Sequence, residues 1–112
     1  MTASKELHEA ILDLSRRPNP DVTGAIQHGM ASLECVARDL TGSKDTLGAW
    51  IGKNRSMFPP PLDKAVESIW GYTSNHARHL KESEEASLEE AELILGVCAT
   101  LGSYLANKGR AA

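Results

Sequence analysis

Ten consecutive residues, Gly71-Tyr72-Thr73-Ser74-Asn75-His76-Ala77-Arg78-His79-Leu80, hold two histidines, an arginine, an asparagine, two hydroxyls and a phenol. Cleaving RNA beside a 2′-hydroxyl needs one group to remove the hydroxyl proton and another to protonate the leaving oxygen. A cation must also steady the phosphate between them. His76 and His79 are of the type that serves as general base and general acid, and the Arg78 guanidinium suits a phosphate. Tyr72, Ser74 and Asn75 could orient the ligand. The plainer reading of the same residues, helix caps and surface hydrogen bonds, is the commoner one for an arbitrary sequence.

Other residues that could do chemistry carry weaker signals. His76 and His79 are three apart, which suits one helical face, but no carboxylate or cysteine at useful spacing completes a metal site. The expectation is therefore no metal and no cofactor. Glu34 and Arg38 form an i, i+4 pair that most simply stabilises its own helix. His28 reads as a satisfied histidine on a helix flank, and His8 lies in an exposed, charged helix. Cys35 and Cys98 sit in apolar company without metal-ligand spacing and read as reduced thiols of the interior. No glycine-rich phosphate loop precedes a helix, and no serine or cysteine nucleophile stands out.

The elements that must position these residues are helical. Ser4 can cap a first helix to about Arg16, with Leu7, Ala10, Ile11 and Leu14 on one face. Pro18-Asn19-Pro20 stops it. Asp21 is the expected N-cap of a long second helix ending at about Leu40. Its Val22, Ile26, Gly29, Met30, Leu33, Val36, Ala37 and Leu40 span about 120° of arc, and Gly42 is the expected C-cap glycine. Asp45 or Thr46 caps a short third helix carrying Leu47, Trp50 and Ile51. Gly48 and Gly52 weaken that helix, so packing must hold it. Residues 53–57 read as a polar loop, and Phe58-Pro59-Pro60-Pro61 as a rigid extended connector that positions the next helix.

A fourth helix is expected from Leu62 to about Tyr72, facing inward with Leu62, Ala65, Val66, Ile69 and Trp70. The cluster at Gly71–Leu80 then falls at a junction between helices, followed by an acidic loop, Lys81-Glu82-Ser83-Glu84-Glu85. Ser87-Leu88-Glu89-Glu90 is a capping box that launches a last long helix to about Asn107. Apolar residues there cover about 200°, roughly twice what one core needs. That width places the helix at the centre of the molecule or against a second subunit, and Gly96, Gly102 and Ser103 would allow another helix to approach. No stretch alternates at period two. The fold class is all-α: a small bundle of about five helices, two of them long.

The totals agree with one domain. The chain has 112 residues, enough to bury roughly two-thirds of its unfolded surface and too few for two domains. It divides into an N-terminal helix at 1–17, a core at 20–107 and a disordered tail at 108–112. Net charge is −3, which lacks the basic footprint of a protein that coats nucleic acid. No apolar run approaches the ~18 residues of a membrane span, and the polar N-terminus is not a signal peptide. The expected location is the cytoplasm.

The 71–80 stretch, with Ala25-Ile26-Gln27-His28-Gly29-Met30-Ala31-Ser32-Leu33-Glu34 before it and Glu89-Glu90-Ala91-Glu92 after it, resembles the C-terminal domain of abortive-infection proteins within the HEPN superfamily. The resemblance covers roughly Pro20 to Asn107. It implies a helical bundle of prokaryotic defence or stress type that binds RNA or a nucleotide-like ligand and works as a homodimer through its last helix. Active members are described as metal-independent endoribonucleases with an arginine four to six residues before a histidine. His79 matches that histidine, whereas Tyr72, Thr73 and Ser74 occupy the positions the arginine would take and Arg78 is adjacent instead. The resemblance also implies that Glu34 and Arg38 lie near the site. Two readings follow: a catalyst using His79, Arg78 and His76, or a non-catalytic interaction module such as an antitoxin, immunity partner or adaptor with a cognate protein partner.

Overall fold

A computed structural model describes residues 2–78 and 86–111, with backbone alone for 73–78 and for 110 and 111. The described residues form five α-helices and no strand: α1 (Ala3–Ser15), α2 (Val22–Thr41), α3 (Leu47–Lys53), α4 (Leu62–Arg78) and α5 (Leu88–Ala111). A single 3₁₀ turn, Arg55–Met57, links α3 to α4. The expected small helical bundle with two long helices, α2 and α5, is what forms.

Local capping explains most of the boundaries. The Asp21 side chain accepts from the Gly24 N–H at 2.9 Å, and Gly42 closes α2 in the left-handed region at φ +71, where a side chain would be strained. Thr46, not Asp45, caps α3 through the Ala49 N–H. The capping box forms in both directions: Ser87 Oγ accepts from the Glu90 N–H at 3.1 Å, and Glu90 Oε1 accepts from the Ser87 N–H at 2.8 Å. At the first helix the cap is Thr2, whose Oγ1 accepts from the Lys5 N–H, two residues before the expected Ser4.

Helix α2 is the axis of the molecule. One face meets α5, where Cβ of a residue at 29 would touch the Cys98 side chain at 3.6 Å and Gly102 stands opposite Val36 at 3.6 Å. Gly109 approaches Leu40, so α2 and α5 run parallel. Two apolar clusters lie along this pair. One joins Ile26, Met30, Ala91, Ile94 and Cys98; the other joins Leu33, Ala37, Trp50, Ile51, Phe58, Val66 and Leu105. Helix α3 contributes Leu47, Trp50 and Ile51, all buried. Packing does hold it, and Gly48 is the point of closest approach: a Cβ there would lie 2.6 Å from Trp70 Nε1. Helix α4 returns along the pair, with Val66 in the second cluster and Tyr72 against the first, so it runs antiparallel to α2.

Other expectations change as well. The Phe58–Pro61 segment is a turn and not an extended connector: Phe58 is anchored in the core, and the Leu62 N–H donates to the Pro59 carbonyl at 2.8 Å. Leu62 and Ala65 face out, because α4 packs through Val66, Ile69, Trp70 and Tyr72. The last helix runs through the expected disordered tail to Ala111. It is held there by Leu105, by the Tyr104 hydroxyl donating to the Met57 carbonyl at 2.6 Å, and by Lys108 over the Tyr104 ring. Helix α1 is rotated from its apolar pattern. Ile11 is 54% exposed, while Asp13, three residues beyond buried Ala10, is 1% exposed.

Candidate functional site

The expected junction at 71–80 is helical as far as it is described. Helix α4 runs unbroken through Arg78, although Gly71, Thr73, Ser74 and Asn75 have low helix propensity. Tertiary contact outweighs that preference: Ile69, Trp70 and Tyr72 pack on the first cluster and carry the helix past Gly71. Six further residues extend α4 roughly 9 Å beyond Tyr72, at the end of the bundle where α2 begins.

Register separates the candidate residues that the linear sequence groups. At 100° per residue, positions 72 and 76 share a face, as do 74 and 78, and the two pairs lie on nearly opposite sides of the helix. Positions 76 and 78 therefore fall on different faces of the helix. Asn75 falls on the side of 72 and 76. His79 lies outside the described residues, as does the acidic segment 81–85. Tyr72 is half-buried. Burial pushes its phenol pKa up, and the adjacent Glu90 carboxylate adds to that. Tyr72 thus lies beside the first turn of α5, packed on the cluster that holds Ala91.

Glu34 and Arg38 pair at 3.2 Å on the second half of α2. The other Glu34 oxygen accepts from the Leu47 N–H at 3.3 Å, at the start of α3. Because α2 and α5 run parallel, Glu90 and Tyr72 are level with the first turn of α2. That is about eleven residues, or roughly 16 Å, from Glu34. The fold does not bring these two groups together.

A different cluster stands at the α1–α2 corner. The Asp13 carboxylate accepts from His28 Nδ1 at 2.6 Å and from Arg16 Nε and Nη2 at 3.3 Å. Its carbonyl accepts from the Asp21 N–H at 2.9 Å. The Asp13 side chain is 2% exposed and that of His28 35%, so Nδ1 is fixed inward while the ring edge reaches solvent. Burial lowers the His28 pKa, but the hydrogen bond and charge of Asp13, with Glu6 and Glu9, outweigh it and leave the pKa above the ordinary value of 6.5. Beside them Gly24 leaves room for two carboxylates: a Cβ there would lie 2.8 Å from Asp21 Cγ and 3.0 Å from Asp13 Oδ2.

Sequence reasoning assigned no role to Asp13 and read His28 as a satisfied flank residue. The signal was present in α1, where an acidic residue three beyond Ala10 occupies a core position that Ile11 does not. Among the described residues no group of three or more His, Cys, Asp or Glu is arranged to hold a metal ion. Cys98 is deep in the core, where burial raises its thiol pKa to about 12, and Cys35 is raised mainly by burial as well. Neither is poised as a nucleophile. No described helix is long and apolar enough to cross a membrane. Comparison with protein-family models, curated proteins and solved structures finds no match for this chain.

Proposed function

We propose that the chain is an interaction module that pairs with a second copy of itself through the outer face of α5, and that the polar end of α4 meets its ligand. The carrying observation is Leu93, 64% exposed on a helix whose opposite face forms the core. Leu93, Gly96, Val97, Thr100 and Leu101 line one shallow apolar groove. A ridge of Leu93 and Val97 beside a dip at Gly96 and Thr100 is the kind of surface that could seat against its own copy about a two-fold axis. Helix α5 begins with Glu89, Glu90 and Glu92 and ends near Lys108. Antiparallel pairing would set acid against base and oppose the helix dipoles.

RNA is the ligand class suggested by the HEPN resemblance, with Ser74, Asn75, His76, Arg78 and His79 as the contacting positions. The endoribonuclease reading needs His79 and Arg78, or His76 and Arg78, to converge on one phosphate. The opposed register of 76 and 78 on α4 favours binding without cleavage.

Sedimentation at micromolar concentration tests the pairing. A dimer is expected, and Leu93→Glu is expected to give a monomer with unchanged helicity; a clean monomer of the parent chain overturns the reading. Incubation with mixed RNAs in chelator tests the ligand, with retardation expected and no cleavage. Cleavage that disappears in His79→Ala and Arg78→Ala would instead establish the ribonuclease.

A further inference from the structure

Helix α1 is attached differently from the rest of the bundle. Among the described residues it contributes only Leu14 to the two apolar clusters. Ala10 is wholly buried, but Ile11 and Leu12 are 54% and 45% exposed. Helix α1 packs extensively along α2, and its ion pair with that helix is at the corner, where the buried Asp13 carboxylate takes His28 from α2 and Arg16 from the residue that caps α1. A buried carboxylate without partners is costly, so the corner end of the α1 seat is sensitive to what His28 presents.

The charged groups around the ring come from both helices. On α1 these are Glu6, Glu9 and Asp13, with Arg16 reaching it through Asp13. Before α2, Asp21 lies across Gly24 from Asp13. Ser32 and Cys35 occupy the same face of α2 as His28, at i+4 and i+7. Carboxylates therefore outnumber cations at the imidazole, and protonation of the ring strengthens its hold on α1.

We propose that Asp13 and His28 form a proton-operated latch: protonated His28 clamps α1 onto α2, and loss of that proton loosens α1 while the α2–α5 core stays folded. Neutral His28 still donates through Nδ1, so the hydrogen bond persists and only the charge–charge attraction is lost. The sign follows from the raised folded-state pKa. The contribution is complete below the ordinary 6.5 and is lost as pH rises through the higher folded value.

Hydrogen exchange of the full chain, corrected for the intrinsic pH dependence, tests this at about pH 5.5 and about pH 8.5, on either side of the imidazole range. Protection of α1 amides relative to α5 amides should fall about tenfold for each unit by which folding raises the His28 pKa. In His28→Gln, which can still donate to Asp13 but cannot titrate, that step should vanish while α5 protection is retained. An α1 protection that does not change with pH overturns the latch. So does a step that survives in His28→Gln, or a loss shared equally by α1 and α5.

Discussion

Asp13 shows how one side chain can set the position of a helix. Its carboxylate and carbonyl together receive His28, Arg16 and the Asp21 N–H, which joins the end of α1 to the start of α2 across the proline-containing turn. A charge removed from water is tolerable only when paired. Replacing it leaves the imidazole facing Glu6 and Glu9 without its nearest partner and opens a small void. Asp13→Ala is expected to lower stability by about 2 kcal/mol, discounted from a fully buried pair because His28 is a third exposed. Urea denaturation checks it, with a lower midpoint and little change in slope. The residue scale also explains Gly48, which the sequence marks as a weakness in α3. It is the place where the Trp70 indole lies against the backbone, so the low propensity accompanies a contact that a methyl group would obstruct.

Among the elements, the starts of α2, α3 and α5 were legible and the ends of α4 and α5 were not. A cap is decided within four residues, and Asp21, Gly42, Thr46 and the Ser87–Glu90 box all act where their sequence pattern places them. Ser87→Ala is expected to cost about 1 kcal/mol, read as a lower melting temperature by circular dichroism with the core unchanged. Extent is different. Gly71, Thr73, Ser74 and Asn75 argue against helix locally, yet Trp70 and Tyr72 pack on the first cluster and α4 continues to Arg78. The candidate site was therefore legible as a group of residue types but not as a geometry. A loop can bring positions 76 and 78 to one point, whereas the register of a helix puts them on opposite faces.

For the whole molecule, both apolar clusters are strung along α2 and α5. They share Trp70 at their boundary, so they should lose order together. Ile26 is fully buried between helices, and Ile26→Ala is expected to cost about 3 kcal/mol. Unfolding followed by tryptophan fluorescence, reporting on Trp50 in the second cluster and Trp70 at the boundary, should coincide with unfolding followed by helix content, in the parent chain and in this variant. Two separated transitions would show that the clusters are independent.

The sequence by itself determined an all-α chain, the caps that open α2, α3 and α5, the inner stripe of α2 and the buried face of α3, because each rests on residues within a turn or two of one another. Only the tertiary structure decided that α1 turns Asp13 inward and Ile11 outward, that α4 continues to Arg78, and that Glu34 lies far from Tyr72. Those outcomes depend on contacts between helices distant in the chain. A spacing pattern says which residues can share a face, and the neighbours it meets decide which face is buried.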